Sequence, residues 1–544
     1  MSSPAASTIS TDGTNLSSNT ASHPTGFWFF FWGEFAERCS YYGMRAILAL
    51  YMIDRLGVDE ADAGTYMSLF IAACYFFPLV GGWIADNYLG KYWTIVLFSI
   101  PYVIAQFIVG IENRFVVFGA LVLLAMGSGV IKPNISTLMG MTYEQQRTGQ
   151  QQLLTSAFSW FYMAINIGAA LSQFAMPWLR DVYGYQIAFF FPAVLMAIAL
   201  VIFALGKKFY AIEVIDRRTL SPEAAAIDRK LKIETLSRIG AVFLLVMFFW
   251  AIFDQAASTW IFFAKTYMDC TVFGQSVSPD AIQAFNPVFI ILLVPVSVAL
   301  FKVVTLKATT KMLIGFLLTA VSMVIMSFSG YLAGTAQKQM QITTPNATMV
   351  VSAELATSWG AQPDKLSDFS KTFGQLSLLG GGSLLESDLG GLAKDADSLR
   401  KDGILEIVSF SAPAGGSESS LAEAAVTSKM IDWVLPSERV TVWWQILAYL
   451  ILTVAEILIS VTGLELAFVA APPSMKSFVT ACWLAVVFLA NLLINAPITR
   501  LYSSMSPGLY FAMLAVAMVV VSFAFVFVAK RFNASEASLP GVNN

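Results

Sequence analysis

"TGFWFFFWGEFAERCSYYGMRAILALYM", residues 25–52, is long enough to cross a bilayer as a helix, yet its middle carries Glu34, Glu37, Arg38 and Arg45. Wound at roughly 100° per residue, the four charges fall within about 60° of one line, with Tyr41 beside them. Each charge costs about 2.5–3.5 kcal/mol at the centre of a span, so four of them facing lipid cost roughly 10–14 kcal/mol. The stripe therefore faces a watery cavity or charged partners on other helices. Glu34 and Arg38, four residues apart, supply one pair within the helix. Arg45 and one carboxylate need partners elsewhere.

The rest of the chain supplies the setting. Of 544 residues 57% are hydrophobic and 12% charged, with mean hydropathy +0.69, far too apolar for a water-soluble chain of this length. A net charge of -3 carries no basic excess and gives no reason to expect a nucleic-acid partner. Apolar stretches of about 20 residues, the length that spans a bilayer, recur twelve times, at 27–52, 63–87, 92–112, 115–140, 153–179, 186–206, 239–266, 285–305, 312–334, 441–464, 477–499 and 508–529. The first is not read as a signal peptide, since no Lys or Arg precedes it and no small-residue cleavage site follows. Placing both termini in the cytoplasm leaves sixteen Lys and Arg on inner loops and the C-terminal end, against Arg55, Arg114, Arg180, Lys265 and Arg500 on short outer ones.

The chain divides accordingly into a disordered cytoplasmic tail (1–26), an N-terminal six-helix bundle (27–206), a basic cytoplasmic linker (207–238), C-terminal bundle helices seven to nine (239–334), an extracytoplasmic insert (335–440), helices ten to twelve (441–529) and a cytoplasmic tail (530–544). The insert is rich in Ser, Gly and acids, and short apolar pieces such as "GILEIVSF" let it be read as a small domain or as flexible chain. It holds no Cys, so no disulfide framework shapes it.

Enzyme chemistry lacks its usual players. The only histidine, His23, lies in the N-terminal tail, and Cys39, Cys74, Cys270 and Cys482 show no metal-binding spacing. No Ser-His-Asp triad, Cys-His pair, metal or other cofactor is expected within the membrane. Ionisable residues recur instead in other spans: Lys132 beside Pro133 in "GSGVIKPNIS", Asp254 in "FFWAIFDQAAS" and Glu456 in "ILTVAEILIS". The deep charges are four acids against three bases. One acid in excess fits a site that takes up a proton, because burial favours the neutral carboxyl while a neighbouring cation favours the charged one. Ion pairs that lock helices together are the plainer reading of any single residue. Seven such groups drawn from both halves of the chain mark a substrate or ion route.

These residues carry a resemblance. "EFAERCSYYG" is similar to the first-helix signature of the proton-dependent oligopeptide transporters, E-x-x-E-R-F-x-Y-Y-G, with Cys39 in place of the Phe. "GGWIADNYLG", "GSGVIKPNIS", "FSWFYMAINIG", "FWAIFDQ", "NPVFI" and "SVTGLELAFVAAPPSMKS" resemble further motifs of that family in the same order, over nearly the whole chain except the tails and the insert. The resemblance implies a major facilitator fold, all-α, with twelve transmembrane helices in two six-helix bundles, functional as a monomer in the cell membrane. It implies a symporter, not an enzyme, that imports di- and tripeptides with protons by alternating access. The same fold in some relatives carries another small anion or conjugate, such as nitrate.

Site roles carry over in the same way. Arg38 and Lys132 would attract the peptide carboxylate; Glu456, with Asn166 and Asn286, would hold its amino group. Tyr41, Tyr42, Tyr75, Trp250, Ser460 and Trp483 would line the cavity. Arg45 with Asp254 would pair across the outer mouth and Lys132 with Glu456 between the bundles. Glu34, Glu37, Asp254, Lys132 and Glu456 would take part in proton coupling. Asn87 stands where the wider superfamily's loop often carries Arg, and the insert sits where animal members carry theirs.

Overall fold

The structure, a computed structural model, describes residues 22–213, 222–304, 306–343, 347–352, 405–410, 427–470 and 476–537. Ten of its helices are long and apolar enough to cross a membrane. The 58-residue Gln152–Phe209 stretch is one of them, and it breaks at Gly184, where φ 85 and ψ 168 leave the helix. Only glycine adopts that backbone without strain. Its two arms and the charge-bearing helix Gly26–Asp54 lie beside these among the described residues.

The first bundle comprises α1 (Gly26–Asp54), α2 (Glu60–Ile84), α3 (Lys91–Ile108), α4 (Arg114–Gln146) and the two arms of α5 (Gln151–Leu205). Side-chain caps set several starts: Asp59 accepts from the Asp62 N–H and Asn113 from the Phe115 and Val116 N–H groups. The helices approach closely through small residues. A Cβ built on Gly129 of α4 would lie 2.7 Å from the Cβ of Phe77 on α2, and one on Gly43 of α1 would lie 2.8 Å from Met176 of α5. Asp86, without an arginine at position 87, pairs with Lys91 instead. Glu213 caps the start of α3 by accepting from the N–H groups of Lys91 and Tyr92, the latter at 2.9 Å.

The second bundle comprises α6 (Pro222–Phe253), α7 (Thr259–Tyr267), α8 (Phe285–Val303), α9 (Ala308–Leu332), α10 (Trp443–Ala470), α11 (Lys476–Leu489), α12 (Ala496–Leu501) and α13 (Pro507–Ala537). Helix α6 begins well inside the segment read as a linker. Its run-in, "PEAAAIDRKLKIETLSRI", opens on Pro and is dense in Ala, Leu, Lys and Glu, all favourable in a helix. Two spans depart from α-helix in mid-membrane. The seventh tightens into a 3-10 turn at Asp254–Ala257, and the eleventh widens into a π-helical stretch at Ala490–Asn495.

The insert forms a four-stranded antiparallel sheet in the order β6-β5-β4-β7, from β4 (Gln337–Thr343), β5 (Ala347–Ser352), β6 (Leu405–Phe410) and β7 (Thr427–Trp433). Its apolar piece "GILEIVSF" thus contributes β6. Short strands β1 (Met268–Asp269) and β8 (Val440–Thr441) pair in parallel and join the end of α7 to the start of α10; β2 (Thr271–Val272) and β3 (Gln275–Ser276) form a small hairpin. The tail 1–21 and most of the insert between β5 and β6 lie outside the described residues.

Helix α1 starts and α13 ends on the same side of the molecule. On the opposite, distal side the bundles are drawn together by Lys265 on Asp54 (2.8 Å), Arg500 on Asp62 (2.7 Å) and Arg180 on the fully buried Asp280. Gln283 also donates to the Ala46 carbonyl across this seam.

Candidate functional site

The charged stripe of α1 turns inward as its cost in lipid requires. Arg38 is 0% exposed; its Nε lies 3.1 Å from Glu34 Oε1, and its guanidinium also pairs with Glu37. Ser128 of α4 donates to Glu37 Oε1 at 2.7 Å. The guanidinium stands 5.6 Å from the ring centre of Tyr41 and 6.0 Å from that of Tyr42, within reach of cation–π attraction. Lys132 Nζ lies 4.8 Å from the centre of the Tyr75 ring.

Two turns further along α1, Arg45 crosses to the other bundle and pairs with Asp254 at 3.2 Å. The 3-10 turn that begins at Asp254 marks the break in the seventh span, the kind of mid-helix departure that accompanies hinges. The second Asp254 oxygen accepts from Asn491 at 2.7 Å. On the facing wall Glu456 accepts from Asn286 at 2.9 Å, and Asn286 also donates to Thr453.

Between these groups lies a partly open cavity walled by both bundles. From the first bundle come Tyr42, Arg45, Tyr75, Tyr162, Asn166 and Gln173; from the second come Trp250, Asp254, Gln283, Asn286, Tyr449 and Glu456, with Pro287 and Ile290 as apolar wall. The combination is one of cation, carboxylates, amides and aromatic faces around one chamber, the kind of lining that orients a polar ligand.

Eight of the residues expected at the site reach this wall: Tyr42, Arg45, Tyr75, Asn166, Trp250, Asp254, Asn286 and Glu456. Arg38 sits behind it, fully enclosed with Glu34 and Glu37. Tyr41 turns into the bundle core and stacks on Phe70 at 6.2 Å. Trp483 packs onto Gly463 and meets Phe243 edge-on at 5.6 Å, so it is a packing residue here and not a wall residue. Ser460 is off the wall, its hydroxyl buried without a partner. One expected contact needs correction: Lys132 and Glu456 make no ion pair. Lys132 leans over Tyr75 on its own bundle while Glu456 is taken up by Asn286 on its own, and the cavity stands between.

Sequence reasoning missed Tyr162, Gln173, Gln283, Tyr449, Ser128 and Asn491. A signal existed for two of them. Gln173 follows Asn166 by two helical turns on the same face, and Asn491, Asn495 and Thr499 recur every fourth residue through an apolar span.

Comparison with known proteins gives one consistent match. The sequence profile of the POT family, PTR2, matches residues 92–227, 223–362 and 404–525. Peptide transporter family 1 of Drosophila melanogaster is 28% identical over 94% of this chain and 88% of its own length. Solute carrier family 15 member 1 of Homo sapiens is 30% identical over 59% of this chain and 53% of its own length, so the chain aligns to about half of that protein. Among solved structures, the POT family transporter PepTSo superposes with a TM-score of 0.65 at 23% identity, covering 94% of this chain and 99% of that one. A POT family transporter in complex with 5-aminolevulinic acid superposes with a TM-score of 0.67 at 20% identity, covering 94% and 97%.

Proposed function

The chain belongs to the POT family, a family of multi-pass membrane transporters and not of enzymes, and from that membership we propose that it is a proton-coupled symporter importing di- and tripeptides. The observation that carries the reading is the cavity itself, which sets an aromatic, amide-lined chamber between the Arg45–Asp254 pair and the Asn286–Glu456 pair. A zwitterionic peptide presents one negative and one positive end. Its amino group finds Glu456, Asn286 and Asn166, and its carboxylate finds Lys132, held against the wall residue Tyr75, and Arg38 behind the wall. Binding to both walls draws the bundles together. Because recognition falls on the termini and backbone amides, the side chains rest against Tyr and Trp faces and many peptides fit at modest affinity.

Coupling follows from competition at the ion pairs. Protonation of Asp254 releases Arg45 and loosens the distal side, which the charge distribution places outside the cell; with both termini in the cytoplasm, the closed distal seam makes this an outward-closed conformation. Glu34 and Glu37, sharing Arg38, form a second group whose proton occupancy changes when the peptide carboxylate draws on the neighbouring cations. No cofactor enters the scheme; the proton gradient is the energy source, and one chain contains a complete cavity.

Uptake of a labelled dipeptide into proteoliposomes under an inside-alkaline gradient tests the proposal. Gradient-dependent accumulation that dipeptides and tripeptides compete away, and free amino acids, tetrapeptides and nitrate do not, is the expected result. Accumulation competed by nitrate and not by dipeptides would overturn it.

A further inference from the structure

The carboxylate of Asp254 is held from two sides, and only one of them belongs to the gate described above. Asn491 Nδ2 donates to Asp254 Oδ2 at 2.7 Å, and from there a ladder of buried groups runs away from the cavity. Asn495 donates to Asn491 Oδ1 at 2.8 Å; Gln255, next in sequence to Asp254, donates to Asn495 Oδ1 at 2.5 Å and to Thr499 Oγ1 at 3.1 Å. The remaining Gln255 oxygen accepts from Thr259 at 2.8 Å and Tyr510 at 2.7 Å. Gln255, Asn491, Asn495 and Thr499 are all 0–1% exposed.

The ladder ends on the other bundle. A Cβ added to Gly64 of α2 would run into the Thr499 methyl, so the two helices touch there backbone to side chain. One residue on from Gly64, Thr65 donates to the Ala61 carbonyl of its own helix at 2.7 Å and lies 3.5 Å from the Ala496 carbonyl, and Arg500 donates across the seam to Thr65 at 3.2 Å and to Asp62 at 2.7 Å. The π-helical stretch Ala490–Asn495 carries the first two rungs, a geometry frequent at functional sites. A ladder serving packing alone has no need to terminate on a buried carboxylate that is shared with a cation of the opposite bundle.

We infer that Asn491 is a positioning residue for the Asp254–Arg45 gate: the buried ladder holds the Asp254 carboxylate turned toward Arg45 and ties its state to the distal seam between α2 and α12. The charged and titratable groups around Asp254 are Arg45 from α1, Tyr75 from α2, Lys132 from α4 and Glu456 from α10; Asn491 comes from the π-helical stretch that follows α11. When Asp254 is charged, the amide donates to it and the rungs point one way. When Asp254 is neutral, a proton on Oδ2 sets a donor against the Asn491 amide and forces the rungs down to Thr499 to rearrange, whereas a proton on Oδ1 leaves the Asn491 bond in place but weakened, because its acceptor is no longer charged. Either way the hold on Asp254 from the seam against α2 changes.

This inference rests on the proton-coupled reading, and the test separates the two. Full-length protein in proteoliposomes is assayed for gradient-driven dipeptide accumulation and for dipeptide counterflow without a gradient. Asn491→Leu, which keeps the side-chain volume and removes the donor, is expected to lower gradient-driven uptake about tenfold, the loss of one hydrogen bond to a charged group, with counterflow falling under about threefold. Asn491→Ser, which retains a donor, is expected to recover most of the loss. Equal losses in both assays, or no recovery by Ser, would mean packing alone and overturn the inference. Should the Leu variant fail to reach the membrane, Asn491→Ala carries the same expectation. Asp254→Asn is the reference: if it leaves accumulation intact, the gate reading fails and this inference with it, whereas loss in Asp254→Asn without loss in Asn491→Leu removes the inference only.

Discussion

Replacing Arg38 by Met probes a charge that is fully enclosed within the first bundle. In the wild-type cluster one guanidinium serves two carboxylates, with Nε on Glu34 at 3.1 Å and a second nitrogen on Glu37. The two acids are not left equal by the substitution. Glu37 keeps the Ser128 hydroxyl at 2.7 Å, while Glu34 has one oxygen already without a partner and loses the other's. Breaking a buried pair from one side costs about 3–5 kcal/mol, because the surviving charge stays desolvated and uncompensated. Most of that loss is assigned to Glu34, so Arg38→Met combined with Glu34→Gln should recover well over half of it, and adding Glu37→Gln should bring stability close to wild type. The assay is unfolding of the detergent-solubilised protein, following tryptophan fluorescence, compared across the single, double and triple variants. A single variant as stable as wild type, or a double variant no better than the single, would refute the reasoning that the stripe on α1 is a mutually dependent charge cluster.

Other expectations follow from individual contacts. Lys132→Ala and Glu456→Ala should each abolish gradient-driven peptide uptake; full uptake in either variant would remove that residue from the mechanism. Adding bulk at Gly64, as in Gly64→Leu, should wedge the distal seam against Thr499 and lengthen the distance between spin labels at the exposed positions Phe115 and Tyr331 in a cysteine-free background; an unchanged distance would show that the seam does not close through this contact. His23 stacks on Phe27 at 4.5 Å and sets Nδ1 2.5 Å from the Tyr143 hydroxyl, and burial lowers its pKa from the ordinary value of 6.5. Docking of this residue is therefore fully present above pH 6.5 and lost as pH falls through the docked-state value. As the only histidine in the chain, it gives a single imidazole NMR signal, whose titration midpoint should lie below 6.5 and rise when Tyr143 is changed to Leu.

The positions of the spans were legible because lipid imposes a uniform demand on length and polarity; most helix ends lie close to the ends of the apolar runs, while α6 starts earlier, at Pro222, and α13 runs on to Ala537. The charged stripe on α1 was legible for the same reason: four charges on one face have no stable alternative to an inward orientation. What escaped the sequence is whatever depends on distances between helices. Nothing in "AEILIS" distinguishes a Glu456 that meets Lys132 from one that meets Asn286, because the choice turns on how far apart the bundle walls stand. Trp483 shows the same limit: an aromatic in a span suits a cavity wall or a small-residue notch equally, and Gly463 decided for the notch. The helical start of α6 at Pro222 was hidden by its charges, which read as linker although each of those residues is at home in a helix.

The insert's sheet is attached at both ends to the second bundle: β4 follows α9, β7 leads through β8 into α10, and β8 pairs with β1 at the end of α7. An antibody fragment raised against that sheet would accordingly ride with one half of the molecule only. For a 59.3 kDa chain that otherwise offers particle images little beyond a micelle, such a fragment supplies both an alignment mark and a pointer whose angle to the opposite half reads out each stage of the cycle.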